Sequence, residues 1–484
     1  MKQTVHFETL GCRLNQDETE GAARSFSLQG FSCDLEAVSA RTPVSPDVVL
    51  CVVNTCTVTA KAEQKGRRII RLLLEKFPAS LVVVTGCYAE LAADEISAIE
   101  QDRIAVLPGT KKFLLQKIAC EMNGGMLDCG SGSCTLEHLK QIIGAQSFVP
   151  ADGREAEPCA LNSFALYTPV FARHSRATLK VQDGCNNCCS FCRIHLARGP
   201  SVSLGVQEAV RRAQEIESLG VHEAVLSGVN LSQYAGKGSA GETVSFCGLL
   251  SVLLKETESL RFRISSFYPQ HITEELCSVL HDRRIQPFFH LSIQSGSSRI
   301  LRLMNRPYAA ADVLSAVARL RSCKENPFIS CDIIAGFPGE SEADFEETKQ
   351  LCRELQFAWI HAFPFSPRPG TAACSMRPQV PERIKGERVQ WLTEAAVAGK
   401  ISYIMSCRGH EYDASVEKIL PGKQKPGEPA VYHAVTENFL HAVFESPGML
   451  KPGISVRLKI GEPLEESIRA GKEAECTGEL SGIV

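Results

Sequence analysis

Apolar runs and amphipathic stretches alternate along the first hundred residues. Val5–Leu10, Val48–Val53 and Leu81–Thr85 read as short buried strands, and Asp17–Gln29, Ala60–Lys76 and Ala89–Ile99 as helices. Such alternation predicts a parallel sheet with crossover helices. Between about Thr110 and Tyr167 the patterning weakens around Gly124-Gly125 and Gly130-Ser131-Gly132-Ser133, which reads as a linker or insertion. A second α/β series starts at Thr178. Its strands are Thr178–Gln182, Glu223–Leu226, Arg261–Ser265, Phe288–Ile293, Ile329–Ile334 and Trp359–Phe363, with helices such as Val206–Leu219 and Ala309–Lys324 between them. Six units rather than eight predict an open, partial (β/α) barrel whose site lies at the strand carboxyl ends. After Lys400 short alternating strands, Glu411–Ile419, Ala430–Thr436, His441–Phe444 and Ser455–Ile460, are parted by turns such as Pro421-Gly422 and Lys451-Pro452-Gly453. They predict a small all-β barrel. Residues from about Glu473 read as a frayed tail, and no internal repeat is visible. The expected fold class is therefore multidomain α/β. Its parts are an α/β domain (1–115), a linker or insertion (116–167), a barrel core (168–403), a β-barrel (406–475) and a tail (476–484).

Composition narrows the function classes. With 44% hydrophobic and 22% charged residues over 484 positions, this is ordinary globular material, too long for one typical domain. A formal net charge of −3 argues against a purely electrostatic RNA binder, so any RNA affinity must come from local basic surface. In the carboxyl-terminal barrel Lys418, Lys423, Lys425, Lys451, Arg457 and Lys459 are offset by Glu411, Asp413, Glu417, Glu428, Glu437 and Glu445. The first residues, Met1 to Glu8, lack the apolar core of a signal peptide, and no apolar run is long enough for a membrane span. Twenty-one cysteines without a secretion signal point to reduced thiols and metal ligation, and hence to the cytoplasm.

Two groups of cysteines stand out. Each of the first three strands runs into one: Thr9-Leu10-Gly11-Cys12, Val53-Asn54-Thr55-Cys56 and Val84-Thr85-Gly86-Cys87. In open α/β sheets ligands bind outside the strand carboxyl ends, so three cysteines at equivalent ends can meet in one crevice. The glycines before Cys12 and Cys87 suit a tight turn beside a ligand. Cys51 lies inside its strand and is set aside. The second group is Asp183-Gly184-Cys185-Asn186-Asn187-Cys188-Cys189-Ser190-Phe191-Cys192, with Cys185, Cys189 and Cys192 at the spacing C-x3-C-x2-C. Three thiolates are one short of the four that close a cubane. Cys188 is a neighbour rather than a ligand, and Cys129 and Cys134 read as ordinary loop thiols. A closed zinc site would want two separated CxxC pairs, which this interleaved loop does not offer.

That spacing is the signature of the radical S-adenosylmethionine (SAM) enzymes. Further strings follow in the same order: Ser227-Gly228-Val229-Asn230, His290-Leu291-Ser292-Ile293-Gln294-Ser295-Gly296-Ser297, Asp332 to Glu340 and Phe363 to Thr371. The whole chain outside Thr110–Tyr167 resembles the methylthiotransferases, which insert a methylthio group into an unreactive C–H bond. The resemblance implies two 4Fe-4S clusters, one on Cys185, Cys189 and Cys192 that chelates SAM and yields a 5′-deoxyadenosyl radical. The other, auxiliary cluster falls on Cys12, Cys56 and Cys87 and carries the methylthio sulfur. It also implies a carboxyl-terminal barrel of the TRAM type. Cofactor contacts carried over from the family are Phe191, Gly228, Asn230, Gln294, Asp332 and Gly336. Expected partners are tRNA, an external electron donor and a sulfur source, and no membrane.

The strings Thr9 to Gln16 and Asn54 to Thr59 look most like the branch acting on N6-threonylcarbamoyladenosine at tRNA position 37, by activation of adenine C2. The isopentenyladenosine branch is its near neighbour and a ribosomal-protein aspartate branch is more distant. A different class, a non-catalytic metal-containing RNA-binding protein, stands beside these. After Cys192 the chain departs from the family pattern: Arg198-Gly199 is kept, but His195 stands at the usual proline position and later arginines are absent.

Overall fold

A computed structural model describes residues 3–123, 133–144, 162–171, 176–420 and 429–484. The amino-terminal sheet is entirely parallel, and its five strands run in the order 32–34, 4–9, 48–55, 81–86, 104–106. Residues 48–53 and 81–84 are apolar throughout because helices cover both faces, leaving no solvent side for polar alternation. Ala60–Lys76 is a helix over the residues expected, capped by the Thr59 side chain, which accepts from the Ala62 N–H. The first helix begins earlier than its apolar pattern suggested, at Arg13, with Cys12 at its amino end. The stretch expected as one helix over Ala89–Ile99 is two short ones, Cys87–Leu91 and Ala93–Ser97, broken at Ala92, whose backbone (φ −146°, ψ 44°) is not helical.

Part of what reads as a linker belongs to this first unit. Helices Leu114–Asn123 and Ser133–Gly144 place Leu115, Ile118, Leu139 and Ile142 in the same apolar core as Phe7 and Phe26. Residues 162–171 continue into the boundary with the second unit, where a side chain on Gly21 would run into the Leu166 and Tyr167 backbone. Gly124-Gly125, Cys129 and the thiol of Cys134 lie outside the described residues, as do Lys423, Lys425 and Glu428.

The second unit has six parallel strands in two sets of three: 177–180, 223–227 and 261–264, then 288–294, 328–335 and 359–364. Parallel bridges from Phe262 to Ile285 and from Phe267 to Leu291 join the sets. The first and last strands do not pair, so the (β/α) barrel is open. Period-two alternation sorts its side chains: Phe289, Leu291 and Ile293 enter the main apolar core, and His290 and Ser292 face the other way.

The long helix Glu382–Cys407 leads from this barrel into a closed five-stranded β-barrel, consistent with a TRAM domain. Here the sequence reading is corrected. Residues 476–484 are not a tail: Cys476–Ile483 is the fifth strand, antiparallel to Ser455–Pro463 and parallel to His441–Ser446. The small barrel docks at the amino ends of the partial barrel's strands. Phe439 lies against Phe288 with ring centres 4.4 Å apart, and Arg261 pairs with Asp413 at 2.8 Å. The buried Arg263 pairs with Glu223 at 2.6 Å and reaches the Thr436 carbonyl at 3.3 Å. Among the described residues no helix is long and apolar enough to cross a membrane.

Ending the chain at Glu475 should therefore open the small barrel along the strand 455–463, which carries the buried Val456, Leu458 and Ile460. The expected result is soluble aggregation on size exclusion and a melting transition lower by about 5 °C or more. An unchanged melt would contradict the strand's structural role.

Candidate functional site: two cysteine triads across a seam

Strands 4–9, 48–55 and 81–86 are direct neighbours in register, so their carboxyl ends stop level. Cys12, Cys56 and Cys87 follow those ends and lie close enough for Cys12 and Cys87 to act on the Cys56 thiol. Burial pushes that thiol up to about 11, so it keeps its proton at neutral pH. The two glycines have a steric reason. Gly11 (φ +102°) would put a side-chain carbon 2.5 Å from Cys56 Cβ, and on Gly86 (φ +99°) the carbon would strike the Thr55 carbonyl. Asn15 ties two of the turns together, its amide donating to Leu10 O (2.8 Å) and Thr55 O (3.0 Å).

The other triad sits on the loop leaving the first barrel strand. Cys185 and Cys189 are buried, Cys192 is half-buried and Cys188 is exposed. Backbone N–H groups of Asn187 and Ile194 point at Cys185 and Cys192 Sγ, each at 3.4 Å. The Asn230 amide lies 4.0 Å from Cys185 Sγ. Arg306, which the sequence reading missed, donates to Cys189 Sγ at 3.2 Å and to Tyr268 Oη at 2.8 Å. A lone arginine before a proline carries no signal that would have singled it out. Among the described residues the one group of three metal-type ligand atoms all within 4.8 Å of one another is His433, His441 and Glu473 in the small barrel. Neither cysteine triad has its three sulfurs all within that distance.

Of the other expected contacts, Gly228, Asn230, Gln294 and Gly336 fall at carboxyl ends of barrel strands, Phe191 in the cysteine loop and Asp332 inside the strand 328–335. Gly228 has no room for a side chain, because Leu231 Cδ2 and Gln182 Oε1 would lie 2.7 and 2.8 Å from it. The Asn230 backbone N–H donates to Gln182 Oε1 (2.8 Å) and its side-chain Oδ1 is buried without a partner, as are the hydroxyls of Ser227 and Ser265. Orphaned buried acceptors are costly, so this patch fits a polar cofactor. Phe191 packs edge-on to Phe337 at 6.5 Å. Gln294 (φ +72°) and Gly336 (φ +76°) hold left-handed turns, the latter donating to Glu340 Oε2 at 2.6 Å. The Asp332 carboxylate is taken by His290 at 3.1 Å. His195, on the short helix after Cys192, has Nδ1 buried without a partner.

Between the triads runs a seam of buried charge. Glu18, on the first helix, is paired with Lys180 (2.8 Å), Arg198 (2.9 Å) and Lys112. Asp183 is paired with Lys180 (2.6 Å) and Arg198 (2.9 Å). Burial alone would raise the Glu18 carboxyl, but Arg198, Lys112 and Lys180 hold it well below its ordinary range. A second bridge lies nearby: Arg193, next to Cys192, is 3.3 Å from Glu63, and Arg368 reaches both Glu63 and, at 3.2 Å, Thr57, next to Cys56.

Comparison with known proteins agrees with this architecture. Residues 179–352 match the radical SAM superfamily, and residues 4–107 match the uncharacterized protein family UPF0004. A Treponema pallidum protein named threonylcarbamoyladenosine tRNA methylthiotransferase MtaB is 41% identical over 94% of this chain and 98% of its own length. Its namesake from Bacillus subtilis is 33% identical over 96% of this chain and 95% of its own. The chain belongs to the radical-SAM tRNA methylthiotransferase family. Membership brings a 4Fe-4S cluster and SAM as cofactors. In fold, the chain is similar to TsrM, a radical S-adenosylmethionine methyltransferase from Kitasatospora setae, with a TM-score of 0.50 at 14% identity, covering 77% of this chain and 74% of that one.

Asp17 gives the seam of this methylthiotransferase a pH signature. Burial pushes its carboxyl up to about 8, and Oδ1 has no hydrogen-bond partner. The folded chain then keeps a proton that the unfolded chain releases near pH 4, so stability is lost as pH rises from about 4 to about 8. Asp17→Asn should gain about 1–3 kcal/mol at pH 8 and almost nothing at pH 4. Denaturant titrations at both values decide it; an equal effect at both would show that Asp17 is ionised in the fold.

Proposed function

We propose that this enzyme converts N6-threonylcarbamoyladenosine in tRNA to its 2-methylthio derivative. On this reading one 4Fe-4S cluster sits on Cys185, Cys189 and Cys192 and a second on Cys12, Cys56 and Cys87. The observation that carries it is the pairing of the C-x3-C-x2-C loop with three cysteines at the level ends of three adjacent parallel strands. The names of the relatives support the substrate. When bound, the clusters and SAM supply one-electron C–H activation and the methyl and sulfur to be transferred.

The chain's own part is to bind, orient and exclude water. Asn187, Ile194 and Arg306 offer N–H donors to the three loop sulfurs, which steadies thiolates. Ser227, Asn230 and Ser265 offer unpartnered polar atoms to the amino and carboxylate groups of SAM. Electrons come from an external donor and sulfur from an external source, both reaching the protein from solution.

Anaerobic reconstitution should load about eight irons per chain, and Cys185→Ala and Cys87→Ala should each load about four. Nucleoside mass spectrometry of tRNA from a strain lacking the gene should show the threonylcarbamoyl nucleoside without its methylthio form. Loss of methylthio-isopentenyladenosine instead would move the substrate to the neighbouring branch. Stoichiometric zinc without SAM cleavage would return the chain to the class of metal-containing RNA-binding proteins.

A further inference from the structure

Arg198 touches both halves of the molecule at once. It closes the short helix Ile194–Arg198, and its side chain is 6% exposed. One amino group donates to Asn15 Oδ1 at 2.7 Å, the other to Glu18 Oε1 and Asp183 Oδ1, both at 2.9 Å. Asn15 and Asp183 are each one bond from a cysteine turn. Asn15 holds the carbonyls of Leu10 and Thr55, just ahead of the Cys12 and Cys56 turns. Asp183 accepts from Gly184 N–H at 2.7 Å, and Cys185 N–H donates to Gly199 O at 3.1 Å. Cys87, Asp183 and Arg198 line one small cavity of about 170 Å³.

The charge balance points the same way. Glu18 and Asp183 face Lys112, Lys180 and Arg198, so this buried group carries one net positive charge. Cys12, Cys56 and Cys87 all lie close enough to feel the Arg198 charge. A lysine at this position could carry the charge, but not the planar fork that holds partners on both sides of the seam.

We propose that Arg198 is a positioning residue that fixes the spacing between the two cysteine centres through its fork and sets the reduction potential of the amino-terminal one through its charge. The proposal rests on the assignment of a second cluster to Cys12, Cys56 and Cys87. Cluster potentials respond to nearby charge, and removing a cation makes an anionic cluster harder to reduce.

The test uses full-length reconstituted protein, with Arg198→Lys and Arg198→Met compared with the parent by iron count, by spectroelectrochemical titration and by electron paramagnetic resonance of the doubly reduced state. Both variants should keep about eight irons. Arg198→Lys should leave the amino-terminal potential in place but change the magnetic interaction between the clusters. Arg198→Met should also move that potential to more negative values. Wild-type potential and wild-type interaction in Arg198→Lys and Arg198→Met at full iron load would overturn the proposal. Should Arg198→Met fail to fold, unchanged magnetic interaction in Arg198→Lys suffices to overturn it. A parent protein holding only four irons, unaffected by Cys87→Ala, would remove the second cluster and the proposal with it, and the parent's iron count alone tells that failure from the other.

Discussion

Glu18 cannot be buried alone. It stands on a helix that packs Ala22, Ala23 and Phe26 into the amino-terminal core, so it cannot turn to water without unseating that helix. Its compensation comes from Lys112 on its own side and from Lys180 and Arg198 across the boundary. A buried charge stripped of its partner costs about 3–5 kcal/mol. The two units are thereby held in one relative placement. That same placement brings the ends of strands 4–9, 48–55 and 81–86 to face the loop of Cys185, Cys189 and Cys192.

The seam is polar because both sides work at strand carboxyl ends, where loops leave the sheets and backbone groups need partners. An apolar joint there would leave the turns of Cys12, Cys56 and Cys185 without hydrogen bonds. Asn15, Asp183, Thr57 and Glu63 supply them instead, and the arginines 193, 198 and 368 join the two sides. The joint to the small β-barrel is of another kind. It lies at the opposite ends of the partial barrel's strands, where Arg263 sits over the rings of Phe288 and Phe439 and Phe328 packs against both.

Cys12, Cys56 and Cys87 were legible as a set because each follows a strand, and parallel neighbours must end on one side. The glycines at positions 11 and 86 were legible for a related reason, since a turn that tight against another turn admits no side chain. Arg306 and Glu63 were not legible. Glu63 reads as a solvated residue of an amphipathic helix, and its partners Arg193 and Arg368 lie 130 and 305 residues away. The closing strand Cys476–Ile483 was missed because its glycines and short polar alternation carry little strand preference, and barrel closure provides what local sequence does not.

Sequence by itself determined most of the strands and helices and singled out two groups of cysteines, because periodicity and turn chemistry are local and act over a few residues. Tertiary structure decided which surfaces face each other, that the last strand closes the small barrel, and that Arg198 stands between the two cysteine sites. Those outcomes depend on where buried charges find partners and unpaired edges find strands, and both are settled only when distant segments are packed together.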